Sequence, residues 1–494
     1  MPRAIFTLLS RASFRLAATR SGALPCASRL TQFLARHQSR KSCRSTIFRT
    51  SVGAAVVLGL AGCTIHPAGE SQQRSDAARL GAAYQRQFES RSIPALPPNP
   101  GPDDLVEHAL LTNAEVEQRY WEWRAAIEQI PQDGTQTTTL AFSAGTTITK
   151  GRAEAGDSML GLLNDPMADI HWPGTVAVAA QRSLENARAA GHRFRKAGYG
   201  LRDKVLVAYE DYALNAELIR LEQSNAELLK TAAMIVEARN RAGTGGQQDL
   251  LKARNELDLS RNDIAAMQAQ LPAELAALNA LLSRAPDAPI PLPTGMPHVI
   301  VVGYSDEQLL ILAAQQNPEL AALADEIRAR KKGIMLAKLQ YVPDFNLSLS
   351  GDLLGIAQSL VGNVTVPLLR FEAINAAIAQ AEANLRASEA MLRQTHNDLN
   401  AQVVMDIRTL RDADRQLELF EHTILPRARQ VVTVARSAYE AGQSTLLDFL
   451  DGQRSLINVQ RLVARLRATR EQRLDDLEAI TARRLTEIGP VVGG

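Results

Sequence analysis

Two stretches of this chain keep a helical pattern for much longer than a compact domain requires. From about Thr175 to Ala242 and from about Phe371 to Ala441, alanine and leucine recur at three- and four-residue spacing. Gln, Arg and Glu lie opposite, as in "AAIAQAEANLRASEAML" (Ala376 to Leu392). One internal break, "ILPRAR" at Pro426, interrupts the second run. At ~1.5 Å rise per residue, about 65–70 residues reach about 100 Å. That length suits a tube crossing a compartment or a coiled-coil scaffold, and an enzyme pocket does not need it. Composition agrees, with aromatics at only 4%. Lys+Arg 55 against Asp+Glu 53 leaves no long-range field for nucleic acid.

The runs belong to two halves that match each other. "RAGTGGQQDLLKARNEL" (Arg241 to Leu257) parallels "EAGQSTLLDFLDGQRSL" (Glu440 to Leu456) at one constant offset. Gly243 pairs with Gly442, Asp249 with Asp448, and Leu251 with Leu450, while Lys252 stands opposite Asp451. Upstream, "LVEHALLTNAEVE" (Leu105 to Glu117) parallels "LLILAAQQNPELA" (Leu309 to Ala321), and Pro173 sits where Pro367 does. A duplicated unit of helix, two short strands, long helix, glycine turn and helix is the expectation. The chain then divides into a targeting segment (1–62), an N-terminal linker (63–102), a first repeat (103–284), a Pro-rich linker (285–304), a second repeat (305–488) and a tail (489–494).

Four segments between the helices alternate apolar and small polar residues. They are Thr137 to Thr149, "MADIHWP" (Met167 to Pro173), "DFNLSLSG" (Asp344 to Gly351) and "LVGNVTVPL" (Leu360 to Leu368). "KGRAEAGDSMLGLLND" (Lys150 to Asp165) reads as an extra loop joining the first two. Strict alternation is the pattern of a membrane barrel, apolar toward lipid and polar toward a lumen. Four strands are too few to close one, and open edges are excluded in lipid. Three chains would supply twelve.

The N-terminal region is of another kind. Arginines recur, no acid appears before Glu70, and a short apolar run from Val52 ends in Leu60-Ala61-Gly62-Cys63. A basic segment, a short apolar core and small residues make a secretory signal, and residues 60–63 resemble a bacterial lipobox whose cysteine carries lipid. Thr64, not aspartate, follows the cysteine, as in lipoproteins sorted to the outer membrane. An Arg-rich organellar transit peptide is the competing reading. Cleavage at Cys63 removes Cys26 and Cys43, so no intrachain disulfide is expected.

Motifs for covalent chemistry are weak. "GTGG" at Gly243 lacks the Gly-Lys-Ser/Thr of a phosphate loop and sits between helices. The histidines show no metal-ligand spacing, and no G-x-S-x-G elbow occurs. No catalytic residue, metal site or cofactor is expected, apart from a covalent lipid on Cys63. Asp448 and Asp451 share one helix face just past a glycine turn, where carboxylates also complement the helix dipole.

"NPELAALADEIRARKKGIMLAKLQYVPDFNLSLS" (Asn317 to Ser350), "NVTVPLLRFEAINAAIAQAEANLRAS" and "ARSAYEAGQSTLLDFLDGQRSL" resemble the TolC-type outer-membrane efflux channels, over about Asp103 to Leu485. The resemblance implies a mainly α fold with a small β part. A homotrimer would combine a twelve-stranded barrel with a long helical tunnel into the periplasm, coupled through a periplasmic adaptor to an inner-membrane transporter. It implies adaptor-docking tips at Gly243, Thr244, Gly245 and Gly246, and at Gly442, Gln443, Ser444 and Thr445. "LDFLDG" matches the family's aperture acids, making Asp448 and Asp451 rings of three carboxylates in a trimer. The alternative is a secreted, lipid-anchored coiled-coil scaffold without channel activity.

Overall fold

A computed structural model describes residues 64–135, 140–149, 152–162, 173–243, 245–293, 295, 302–352, 358–365 and 370–485. The targeting segment, Cys63, Met167 to Trp172 and the tail lie outside these residues. The chain order is α1 (Glu70–Leu80), α2 (Pro102–Thr112), α3 (Ala114–Asp133), β1 (Leu140–Thr149), β2 (Arg152–Leu162), α4 (Pro173–Arg241) and α5 (Gln247–Leu281). It continues with α6 (Asp306–Gln316), α7 (Pro318–Leu339), β3 (Asp344–Asp352), β4 (Gln358–Thr365), α8 (Phe371–Leu419), α9 (Leu425–Glu440) and α10 (Leu446–Thr481).

Helix α4 runs unbroken for 69 residues, a length of about 100 Å. The proline break in the second half is milder than its sequence implies. Phe420–Ile424 form one π-helical turn between α8 and α9, and Pro426 falls in the first turn of α9. The wide turn relaxes the clash a proline ring makes with the preceding turn, so the rod continues.

The strands form one antiparallel sheet in the order β1-β2-β3-β4. β1 pairs with β2 from Leu140↔Leu162 to Thr149↔Arg152, with a bulge between Ala144 and Thr146. β3 pairs with β4 from Asp344↔Thr365 to Gly351↔Gln358. Only Met159↔Asp352 to Leu162↔Leu349 join the halves. β2 therefore occupies the segment expected to be a loop, Lys150 to Asp165. "RAEAGDSMLGL" has no β-branched residue, and pairing on both sides overrides its poor strand propensity.

Within the segment 63–102, expected as a linker, Glu70–Leu80 form α1 and short 3-10 turns follow to Ser90, while residues 91–101 carry no helix or strand. Leu80 and Tyr84 enter the main core beside Tyr120, Trp123 and Phe194. Trp123 stacks on Phe194 at 5.6 Å, and Tyr84 meets the same ring edge-on at 6.2 Å. Gly81 is required there, because a Cβ would sit 1.8 Å from the Tyr120 ring. A second core joins Tyr304, Leu309, Val403, Ile407, Leu410, Leu474 and Leu477.

Two asparagines each cap one helix and tie down another. Asn113 accepts from Glu115 N at 2.9 Å and donates to Leu281 O at 3.2 Å. Asn317 accepts from Glu319 N at 2.9 Å and donates to Ile480 O at 3.0 Å. Such a cap stabilises a helix start by ~1 kcal/mol. Here it also fixes where the return helices α5 and α10 end.

Charged and polar pairs align the long helices. α4 meets α7 through Gln181–Lys332 (2.7 Å), Glu185–Arg328 (2.8 Å), Arg193–Glu326 and Lys196–Glu319 (3.1 Å). α10 meets α4 through Arg202–Glu478 (2.6 Å) and Gln472–Asp211 (2.8 Å), and meets α8 through Arg470–Asp414 (2.6 Å) and Arg473–Asp406 (3.2 Å). Acids outnumber bases in this layer. Burial, then the charge of Asp476, pushes Asp203 up to about 7. Burial, then Asp475, Glu471 and Asp211, also raises Glu210.

A carboxyl raised in the fold holds a proton that the unfolded chain releases near its ordinary value of 3.8 or 4.5. Stability is therefore fully present below that value and is lost as pH rises toward the folded value. Thermal melts of the intact protein are expected to show higher stability at pH 5 than at pH 8. Glu210→Gln should raise the pH 8 midpoint by about 2–4 °C and flatten the dependence. A pH-independent midpoint would contradict this account.

Candidate functional site at the hairpin ends

The α4–α5 and α9–α10 turns meet in one four-helix cluster. Leu229, Ala232 and Val236 of α4 and Ala253 and Leu257 of α5 pack against Tyr439 of α9 and Leu446, Phe449 and Leu450 of α10. Both turns use a left-handed glycine, Gly243 at φ 73 and Gly442 at φ 75. Gly442 N donates to Tyr439 O at 3.0 Å and Gln443 N to Ala438 O at 2.8 Å, the paired bonds that close a helix at a glycine. In the first turn Gly243 N bonds Asn240 O at 3.0 Å and Gly245 N bonds Arg239 O at 3.1 Å. Gly246 is the extended residue before α5, and Thr244 lies outside the described residues. Ser444 Oγ donates to Ala435 O at 3.5 Å.

Thr445 begins α10 with a reciprocal cap. Its Oγ1 accepts from Asp448 N at 3.2 Å, while its own N–H and hydroxyl donate to Asp448 Oδ2 at 2.9 and 2.7 Å. The hydroxyl first, and then the backbone N–H, hold the Asp448 carboxyl below its ordinary value. Asp451 is exposed and lies 3.4 Å from Arg454, which also pairs with Glu256 of α5. Asp448 and Asp451 thus share one exposed face, but each already has a partner within the chain.

Sequence reading missed the residues that join the two hairpins. The Arg239 guanidinium lies 4.6 Å over the Tyr439 ring and donates to Tyr439 O at 2.9 Å and Glu440 O at 3.0 Å. A cation here closes the carbonyl end of α9 from the other hairpin. Deeper in, buried Glu222 accepts from Ser260 Oγ (2.6 Å), Asn225 Nδ2 (2.9 Å) and Arg461, and Gln453 Nε2 reaches Asn225 Oδ1 at 2.9 Å. No local spacing announces these contacts, because their members come from three helices. Among the described residues no group of three His, Cys, Asp or Glu is arranged to hold a metal.

At the opposite end of the rods, Thr64 Oγ1 is 3.1 Å from Thr135 Oγ1, and Ile65 N donates to Gly134 O at 2.8 Å. The residue after Cys63 therefore sits beside the chain that leads into β1. Among the described residues no helix is long and apolar enough to cross a membrane.

Residues 309–483 match the family described as outer membrane efflux protein. The chain is 24% identical over 305 residues to the cobalt-zinc-cadmium resistance protein CzcC of Cupriavidus metallidurans, covering 57% of this chain and 67% of that one. It is 25% identical over 366 residues to CyaE of Bordetella pertussis, covering 68% and 76%. The fold matches the open state of the Neisseria gonorrhoeae MtrE outer membrane channel with a TM-score of 0.67 at 18% identity, over 81% of this chain and 94% of that one.

The glycine turn is testable in isolation. Space around Gly442 is open, so a side chain meets a conformational penalty and no clash. Gly442→Ala is expected to weaken the α9–α10 turn by ~1 kcal/mol, with Gly442→Asn closer to wild type. Hydrogen exchange at Leu446–Leu450 measures this, and equal protection in all three proteins would rule the turn out as a constraint.

Proposed function

We infer that this chain is the outer-membrane channel of a tripartite efflux system, a passive export conduit whose long helices extend into the periplasm. The family match and the efflux-channel fold carry that conclusion. The system's other members are a periplasmic adaptor and an inner-membrane transporter, and the transporter supplies the energy. The chain itself performs no covalent step.

The working unit is a homotrimer. Within the described residues β1 and β4 are the edges of the sheet, and backbone groups on an edge cannot be left unpaired in hydrocarbon. Joining β4 of one copy to β1 of the next, three times, closes twelve strands. The two halves are copies of one unit, a reading supported by the matching asparagine caps and left-handed glycines. The repeats run over 103–284 and 305–488. Cys63 carries the lipid, in keeping with Thr64 lying beside the approach to β1.

The turns at Gly243–Gly246 and Gly442–Thr445 are the adaptor-docking tips, and Asp448 and Asp451 form stacked acidic rings at the periplasmic aperture. Such rings favour cations over anions. The internal partners of both acids moderate the effect, and Arg454 does so most for Asp451. Cargo is selected elsewhere in the system, since CzcC is named for metal resistance and another relative, OpmQ of Pseudomonas putida, for pyoverdine export.

In planar bilayers, Asp448→Ala with Asp451→Ala should raise single-channel conductance and weaken block by divalent cations. Unchanged conductance and block would remove the aperture assignment. Wild type should run as a detergent-resistant trimer, and Cys63→Ala should abolish metabolic lipid labelling. A soluble, unlabelled wild-type product would remove the channel reading, while a lipid-labelled product without conductance would favour the lipid-anchored scaffold.

A further inference from the structure

The last turns of α7 carry a charge pattern that neither the tunnel nor the tips explain. From Ile327 to Leu339 the helix contains five basic residues and no acid. Two of the five are engaged inward, Arg328 with Glu185 and Asp325, and Lys332 with Gln181. Arg330, Lys331 and Lys338 are exposed and have no side-chain partner among the described residues. Lys331, Met335 and Lys338 follow one another at four and three residues, so they lie on one stripe, and Met335 is exposed as well.

The stripe points at a level of the molecule that aromatic residues mark independently. Tyr341 precedes β3 by three residues and Phe371 begins α8 after β4; their exposed rings stack at 6.1 Å. The Tyr341 hydroxyl donates to Asn375 Oδ1 at 2.6 Å, which holds the pair in place. Exposed aromatics at strand ends sit at the boundary between hydrocarbon and headgroups. Arg370, also exposed, lies next to Phe371. Lys338 is within one turn of Tyr341, and Lys331 lies ~10 Å further down the helix. Lysine side chains extend toward an interface, so the Lys338 ammonium comes within reach of the headgroup layer, and Lys331 continues the same positive stripe below it.

We propose that Lys331 and Lys338, with the Tyr341–Phe371 pair above them, form a contact for anionic phospholipid headgroups of the periplasm-facing leaflet. Charge complementarity selects the occupant: two ammonium groups without a side-chain partner among the described residues, beneath an aromatic boundary, meet phosphate-bearing lipid. The corresponding end of the first half lacks the pattern, since α3 brings Glu122, Glu128 and Asp133 to the same level. Among the described residues each chain therefore carries one such contact. The proposal rests on the outer-membrane reading above.

The test uses full-length protein purified from membranes in a neutral detergent and titrated with phosphatidylglycerol or phosphatidylethanolamine, with retained lipid counted by native mass spectrometry. Wild type should retain phosphatidylglycerol in preference. Lys331→Gln with Lys338→Gln should reduce that retention by roughly five- to thirty-fold. Lys331→Arg with Lys338→Arg should keep it. Equal retention of the two lipids by wild type, or unchanged retention by the glutamine variant, would overturn the proposal. Loss of binding to isolated cell-wall sacculi by the glutamine variant, with phosphatidylglycerol retention unchanged, would also overturn it. Fractionation separates the two readings: wild type absent from the outer membrane defeats the channel, while wild type present there without anionic preference defeats only this contact.

Discussion

Polar and charged pairs between long alanine-rich helices set the register on which the rest of the molecule depends. Alanine faces are shallow and nearly featureless, so two such rods could slide by a turn at little cost in packing. Arg202–Glu478, Glu222–Arg461 and Arg193–Glu326 remove that freedom, because a one-turn slip would strand a charge in the interface. Removing two charges from water is costly, and buried pairs contribute more to specificity than to net stability. The two asparagine caps do the same at the rod ends, where each amide joins a helix start to a returning helix.

The hairpin ends show how two similar turns differ in charge. Both turns need a left-handed glycine, and both send an acid into the next helix one turn later. Only the second supplies a second acid, Asp451, where the first has Lys252. Only the first supplies Arg239, which reaches across to close its neighbour's carbonyl end. The cation therefore belongs to one hairpin and the carboxylate face to the other.

What could be read in the sequence follows from how local each signal is. α4 was legible over its whole length because its apolar spacing repeats without a proline, and the Gly243 and Gly442 turns because glycine is the residue for positive φ. β3 and β4 carry strict alternation and lie close to where that alternation places them. β2 carries none, since Glu154 and Asp157 interrupt it and its partners come from both halves. α1 was hidden in a polar stretch whose burial depends on Tyr120 and Phe194, far away in sequence. The partners of Asp448 and Asp451 were hidden for a related reason. That Asp448 lies in a first helical turn, where a carboxylate complements the dipole, is a local signal, but the Glu256–Arg454 pair beside Asp451 requires knowing that α5 and α10 are neighbours.

The sheet has two long hairpin pairings and one short seam, where Met159 to Leu162 face Leu349 to Asp352. Hairpin partners are close in sequence and can zip as soon as the chain turns. The seam must instead bring together Leu162 and Leu349, with the whole first rod and its return between them. Local contacts form early and distant ones late, so the two hairpins are ready-made pieces and the seam is the slow stitch. A chain caught before that stitch has four raw strand borders in place of two, which makes the order of assembly a hazard that its finished form conceals.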